Sequence, residues 1–534
     1  MAQRNINIPD FVKRTDSINE FITTALSSDE VYELMKQNRI IKSFRSYDCS
    51  YSLSIDKSKD MELKCFSTDG GEHPIAYIKN EIRNRRKLDL EVITNVNIKN
   101  STNFKNFTSQ EMIKASKVYA EFISYILSNI TFATSLNFRT TSFMEDDDCF
   151  YLLILANLQS VKLEQVNSIT LWSVIDFLTK YNFMEYDIFD SKPNLTTFTI
   201  STVSTTLDQK IPMLRDELWR FIDYMNKKHI TLNLVYESTE VSIFLTTTIL
   251  QYCRKNNIEV QVNQEINRVE FFDRIKKGIS RKDFELMPHL SSVTLFIDEF
   301  EHFSYIKDVL KKMNNLESFK IVFSSHIYTT PSEKPYKLEE IRKIYEKNFN
   351  YQPSINKLKE FLLEYDDDHF PNYFDTFRLE DQLYDLFFKY LSSVLPKTIE
   401  VLSFKKLPCL KDEYFNNLYK SIPNIETITL KNCKYVPDEA LLLFRKLKNV
   451  ILSESTAIMI PSWVGIVIYC DFNNHSSRYY YRTHRRKTET HFYRLMRNGN
   501  LLNAFWCDEG KKSDYVIFLK DILQWKTAIN LLNF

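Results

Sequence analysis

Glycine is scarce in this chain: six in 534 residues, alongside 14 prolines. So little of it rules out Gly-rich linkers and leaves few of the loops that cradle phosphates. An excess of one charge is also missing. Lys and Arg number 70 against 69 Asp and Glu, a net charge of +1. Such a balance gives the whole protein no electrostatic footprint for nucleic acid or an anionic membrane. Long apolar runs are absent too. The longest, AIMIPSWVGIVIYC (457–470), falls short of the roughly 20 residues of a spanning helix, and Pro461 interrupts it. The start, MAQRNINIPDFVKRTDSINEF, has no apolar core of a secretory signal. The eight cysteines are scattered without a CxxC pair, which reads as reduced, mostly buried thiols in a cytoplasmic or nuclear protein.

Signatures of chemistry are missing as well. No Walker A, GxGxxG, HExxH or GxSxG pattern occurs, so the expectation is a non-catalytic protein with no cofactor. Cys470, His475, His484, His491 and Cys507 follow none of the short paired-ligand spacings of a zinc site, so no metal is expected. The acidic clusters Glu145–Asp148 and Asp366–Asp368 lie between apolar runs and read as solvated turns. What is abundant is material for a core: 44% hydrophobic residues, with 40 Phe and 30 Tyr. At this length the core must be divided among domains or drawn out as a repeat array.

A repeat is visible. IEVLSFKKLPCLKDEYFNNLYKSIPN, from Ile399, aligns with IETITLKNCKYVPDEALLLFRKLKN, from Ile425, at a step of 26 residues. Counting each first residue as zero, offsets 3 and 5 are Leu402 and Phe404, then Ile428 and Leu430. Offset 13 is Asp412, then Asp438; offsets 16 and 19 are Phe415 and Leu418, then Leu441 and Phe444. Apolar residues at 0, 3 and 5 fit a short strand whose alternate side chains enter a core. Asp at 13 predicts a helix N-cap, and 16 and 19 one face of that helix. A single strand and helix cannot bury their own apolar sides, so neighbouring units must stack. The strand template recurs in ATSLNF (133–138), LQSVKL (158–163), LTTFTI (195–200), INRVEF (266–271), LSSVTL (290–295), LESFKI (316–321), LKNVIL (447–452), WVGIVI (463–468) and, more weakly, LNAFWC (502–507). HITLNLV (229–235) fits an irregular unit.

This pattern resembles the leucine-rich-repeat family in its cysteine-containing variety, with the strand followed by Cys433, Val436, Asp438 and Leu441 in the family's order. The resemblance implies an α/β solenoid: a parallel strand array with helices on the outer face, binding protein partners. The expected organisation is a helical N-terminal region over 1–60, an irregular solenoid over 61–507 with an insertion at about 326–397, and a C-terminal capping helix within 508–534, spanning Asp514–Leu532. Within the first region, FITTALSSDEVYELMKQNRIIKSF resembles a degenerate F-box through Ile22, Leu26, Val31, Leu34 and Phe44, with the turn Ser27–Glu30 between its helices. Ile41, between Leu34 and Phe44, belongs to the same pattern, and that resemblance implies docking to the adaptor of a cullin-type (SCF) ubiquitin ligase. The same residues also suit a plain helical cap over the first repeat. One segment is charge-asymmetric. In 478–497, Arg478, Arg482, Arg485, Arg486, Lys487, Arg494 and Arg497 face a single Glu among interleaved aromatics. It suits single-stranded nucleic acid, an acidic protein, or no partner at all as a solvated loop.

Overall fold

A computed structural model describes the chain from residue 7 to residue 532. Outside the description lie 1–6, 67–70, 141–146, 159–164, 173–187, 203–210, 237–242, 267–289, 298–305, 325–338, 347–354, 367–376, 472–502, 508–513 and 533–534, with a few single positions (46, 48, 105, 190, 191, 340, 341, 344, 345, 408, 434, 456 and 457). The chain divides into two compact units, one of residues 16–19 and 46–264, the other of 1–15, 20–45 and 265–534. It begins with three helices, α1 (Ile8–Arg14), α2 (Ile18–Ala25) and α3 (Asp29–Gln37), followed by strand β1 (Ile41–Phe44).

The unit of 46–264 opens on an antiparallel meander, β2 (Ser50–Asp56), β3 (Glu62–Phe66) and β4 (Glu72–Pro74), then helices α4 (Ile75–Asn84) and α5 (Lys87–Leu90). Strands and helices then alternate: β5 (Asn95–Asn100), α6 (Ser109–Asn129), β6 (Ser135–Thr140), α7 (Asp147–Asn157), β7 (Ser168–Trp172), β8 (Thr197–Thr202), α8 (Ile211–Lys227), β9 (Thr231–Tyr236), α9 (Ile243–Lys255) and β10 (Val260–Ile266). β2 joins β5 in parallel, and each strand from β5 to β10 pairs in parallel with the next. The pairing aligns the apolar positions into rows. Val96, Leu136, Ile169, Phe198 and Leu232 form one, and Ile98, Phe138, Leu171, Ile200 and Leu234 the next. All ten are buried. Helix aromatics close over them, Tyr151 on Phe138 and Phe221 on Phe198, with ring centroids 5.0 and 5.7 Å apart. Each such buried side chain contributes about 1.5–3 kcal/mol, which is why no repeat holds alone.

With so little glycine, helices end on other residues. α8 and α9 stop at His229 and Asn257, both left-handed (φ 59° and 55°). The amides of Ile230 and Ile258 then reach back to the carbonyls of Met225 and Cys253, satisfying groups that a helix end leaves open.

The other unit carries β11 (Leu290–Ile297), α10 (Ile306–Lys312), β12 (Ser318–Ser324), β13 (Glu360–Asp366), α11 (Phe377–Val394), β14 (Val401–Lys405), α12 (Asp412–Ser421), β15 (Thr427–Lys431), β16 (Asn449–Ser453) and β17 (Ile466–Asp471). From β11 to β17 every neighbouring pair is parallel. Val293, Phe319, Phe361, Leu402, Ile428, Val450 and Val467 make one core row, and Leu295, Ile321, Leu363, Phe404, Leu430 and Leu452 another. The sheet then changes direction. β19 (Asp514–Leu519) lies antiparallel between β17 and β18 (Asn503–Cys507), β18 runs parallel to β1, and α13 (Trp525–Leu531) closes the chain. Both units are α/β leucine-rich-repeat arrays, with parallel strands and helices packed on the sheet.

A recurring bond explains the cysteine of the pattern. At offset 8, the Cys433 thiol donates to the carbonyl of Phe404 in the preceding unit (3.6 Å). Ser455, the same position one unit later, donates to the carbonyl of Leu430 (2.9 Å). Burial pushes the Cys433 thiol up to about 12, so it is a spacer in the ladder and not a nucleophile. Just ahead, Lys406, Asn432 and Glu454 take left-handed φ of 58°, 55° and 48°. Their amides donate to the carbonyls of Lys431, Ser453 and Cys470 in the next strand.

Two expected strands fall mostly outside the described residues, and several other expectations are corrected. Most of LQSVKL lies outside the described residues; the strand there is β7, carried by Val166, Ile169 and Leu171. Most of INRVEF also lies outside them, after β10. WVGIVI is displaced by one: Val464 and Val467, not Trp463 and Ile466, continue the row of Leu447 and Val450. The supposed insertion 326–397 contains β13, with Leu358, Phe361 and Leu363 at offsets 0, 3 and 5, and α11. Residues 1–60 are not only helical, since they include β1 and all of β2. The C-terminal capping helix Asp514–Leu532 is instead strand β19 followed by a short turn and the seven-residue α13. Asp412 sits in the first turn of α12 and Lys411 at its N-cap, where no side-chain capping bond forms; its carboxylate serves the helix dipole.

Candidate interaction surfaces

In a parallel sheet with one face buried, the alternate residues form the other face. In the unit of 46–264 that face has a composition which the sequence reading missed. The residues flanking the first core row are Asn95 and Asn97, Ser135 and Asn137, Ser168 and Thr170, Thr197 and Thr199, and Thr231 and Asn233. Every one is a hydroxyl or an amide. They bond along the rows: Asn97 to Ser50 (3.1 Å), Asn137 to Asn97 (3.0 Å) and Asn233 to Thr199 (3.3 Å). At the next outward position β5 carries Lys99 and β6 carries Arg139, paired in register and both exposed. In the sequence this composition stands as [Ser/Thr/Asn]–apolar–[Ser/Thr/Asn] on five strands, a pattern that becomes a surface only through their parallel pairing.

The corresponding face of the other unit carries ion pairs. Glu364 on β13 is buried between Lys320 on β12 (2.9 Å) and Lys405 on β14. Burial opposes its ionisation, but hydrogen bonds from Lys405 and Lys320 outweigh that and hold the carboxyl below the usual glutamate value. A folded-state pKa below the unfolded one means stability that is present above the unfolded value, about 4.3, and is lost as pH falls through the folded one. Glu360, on the same strand, is shifted up by burial, so its protonation returns stability as pH falls. Glu364→Gln should therefore cost about 1.5–3 kcal/mol at neutral pH. It should also leave a shallower acid decline, measured by urea unfolding between pH 7 and pH 3; an unchanged profile would remove the buried pair from the account.

At the N-terminus, α3 is set by Ser28, whose hydroxyl accepts from the amide of Val31 (3.2 Å), with Asp29 and Glu30 in the first turn. Tyr32 donates to Asp521, which holds its phenol proton above the usual range. Met35 is buried. The two ends of α2 differ. In the unit of 46–264, the buried Glu91 accepts from the Ser17 hydroxyl (2.7 Å) and from the amides of Ile18 and Asn19. At the other end of α2, Phe21 and Ala25 are buried and Phe21 packs on Phe11. Of the F-box-like residues, Leu26 and Leu34 are 67% and 49% exposed, as is Ile41 at 58%. Ile22 and Val31 are half-buried. Phe44 is fully buried in β1 against Tyr515 and offers no surface.

The basic segment Arg478, Arg482, Arg485, Arg486, Lys487, Arg494 and Arg497 lies outside the described residues, as do His475, His484 and His491. Among the described residues, no three His, Cys, Asp or Glu side chains converge as metal ligands, and no helix is long and apolar enough to cross a membrane.

Among curated proteins none matches the chain. Among solved structures it is similar to the leucine-rich repeat-containing protein LegL7 from Legionella pneumophila, at 16% identity and a TM-score of 0.29 over 64% of this chain and 84% of that one. It is also similar to a chain in the complex of Rad7 and Elc1 from yeast, at 12% identity and a TM-score of 0.28 over 66% and 87%. A third is an internalin from Listeria monocytogenes, at 11% identity and a TM-score of 0.22 over 72% and 89%. Residues 42–532 match a family model, and the chain belongs to that family, described as a domain of unknown function (DUF8346).

Proposed function

We propose that the chain is a non-catalytic protein-interaction scaffold that docks one partner through α2, α3 and β1 and holds another on its repeats. The observation that carries this reading is the exposure of Leu26, Leu34 and Ile41. Among the described residues six large apolar side chains are exposed, and these three fall within one segment of the chain. Exposed apolar groups that lie close along the chain suit a surface that is covered on binding. Buried side chains on the same helices (Phe21, Ala25 and Met35) already serve the fold, so the exposed ones are left for a partner.

The most concrete partner is the adaptor of a cullin-type ubiquitin ligase, with the chain as substrate-recognition subunit. Support comes from the F-box-like order of Ile22, Leu26, Val31 and Leu34 and from the helix–turn–helix on which they lie. The purified adaptor should bind the full chain. Leu26→Asp and Leu34→Asp should each weaken that binding at least about tenfold, roughly 1.4 kcal/mol, because a charge is placed in an apolar contact. Both residues are solvent-exposed, so the thermal midpoint should hold. No binding by the wild-type chain, under conditions where an established F-box protein binds, removes the ligase role. A ligase-independent scaffold is the alternative.

A further inference from the structure

We infer that the docking surface on α2, α3 and β1 is built by both ends of the chain, with Tyr32 and Asp521 as its positioning residues. The inference rests on the docking reading and adds the C-terminal segment 503–524 to it. Three ties on separate elements carry it. The Tyr32 hydroxyl, on α3, donates to the Asp521 carboxylate, 489 residues away in sequence. The amide of Ile40, just ahead of β1, donates to the Asn503 side chain (3.3 Å), and all of β1 pairs with β18. Phe44, at the end of β1, packs edge-on against Tyr515 of β19, with ring centroids 5.4 Å apart. These ties fall beside residues that the docking reading uses. Tyr32 shares α3 with Leu34, and Ile40 precedes the exposed Ile41.

Asp521 is the joint. One oxygen of its carboxylate accepts from Tyr32 and the other from the amide of Leu523 (2.9 Å). Its own amide donates to the Gln524 side chain (3.3 Å). A carboxylate fixed in a capped turn does not follow the tyrosine, so the turn decides where the tyrosine sits. Hydrogen bonds to a charged acceptor are among the strong ones. The ring is confined as well: Tyr32 is half-buried and the Lys36 ammonium lies 4.2 Å from its centroid. α3 has nine residues and one buried side chain, Met35, and a helix that short is marginal by itself in water. Its position depends on ties to other elements. A change at residue 521 therefore reaches a partner that never touches it.

The test measures amide hydrogen exchange and adaptor binding in the full chain, for Tyr32→Phe, Asp521→Asn and the two combined. Tyr32→Phe keeps the ring and removes only the hydroxyl. It should quicken exchange across 29–37 at least about tenfold, as local opening that has lost one charge-assisted bond, while β11–β17 keep their protection. Adaptor affinity should fall about three- to tenfold, because only molecules with α3 in place are competent to bind. The double variant should be no worse than Tyr32→Phe alone, since both changes break one interaction. Unchanged exchange in α3 overturns the inference, as do additive effects in the double variant. Faster exchange with unchanged affinity makes the bond a matter of folding and overturns the positioning role. If the wild-type chain does not bind the adaptor, the ligase reading falls and takes the positioning role with it. The exchange arm needs no partner and still decides whether the C-terminal turn holds α3.

Discussion

Replacing Ile428 by aspartate is expected to cost more than about 4 kcal/mol and to unfold much of the unit of 1–15, 20–45 and 265–534. Ile428 has no exposed surface and lies in a row between Leu402 and Val450. The next row on the same face holds Phe404 and Leu430, and Phe415 of α12 packs on Phe404, all of them buried. Its row neighbours are apolar and buried, and burying an unpaired charge is among the most expensive single changes a core can suffer. Ile428→Val, which removes one methyl and keeps the shape, should cost only about 0.5–1.5 kcal/mol. Denaturant unfolding followed by circular dichroism separates the two. A variant Ile428→Asp with an unchanged midpoint would mean that the row is not a core.

Trp525→Ala should be nearly as damaging, at about 3–5 kcal/mol. Trp525 is fully buried, and its ring meets Phe505 with centroids 4.7 Å apart. It holds α13 over the end of the sheet where β19 lies with Val516, Ile517, Phe518 and Leu519 all buried. The turn before it is set by Asp521, whose side chain accepts from the amide of Leu523 while Gln524 accepts from the amide of Asp521. Gly465 makes room for this turn, since a Cβ there would come within 2.5 Å of the Gln524 side chain. Trp525→Phe should restore most of the loss, because a ring still fills the space. Equal melting temperatures for wild type and Trp525→Ala would show that this end closes by other contacts.

The repeat was legible where its strand and helix signals agreed. Ile399 and Ile425 begin units whose offsets 3 and 5 stand in the same rows of the sheet. Elsewhere the apolar spacing alone could not choose. LQSVKL and VNSITL fit one template eight residues apart. Only the pairing of Ser168 with Ser135 selects the second, and that is a tertiary fact. LKEFLL was hidden by its charged surroundings, although Phe361 and Leu363 match the rows on either side. DYVIFL at the C-terminus is apolar on both faces, so it shows neither strand nor helix period, and its strand identity comes from lying between β17 and β18. Of the N-terminal surface residues, Leu26 and Leu34 stay exposed while Phe44 is consumed by β1; nothing in the spacing separates an apolar residue kept for the fold from one kept for a partner. The tie from Tyr32 to Asp521 was invisible because its significance depends on the two ends of the chain being neighbours.

Amide hydrogen exchange on Ile428→Asp, followed strand by strand, asks whether these modules support one another. Protection should vanish from Leu402 and Val450 as well as from β15 itself, since each repeat buries its apolar row only against the repeats beside it. If exchange accelerated in 427–431 alone and β14 and β16 kept their protection, the strands would be independent supports and the stacked-repeat account would be wrong.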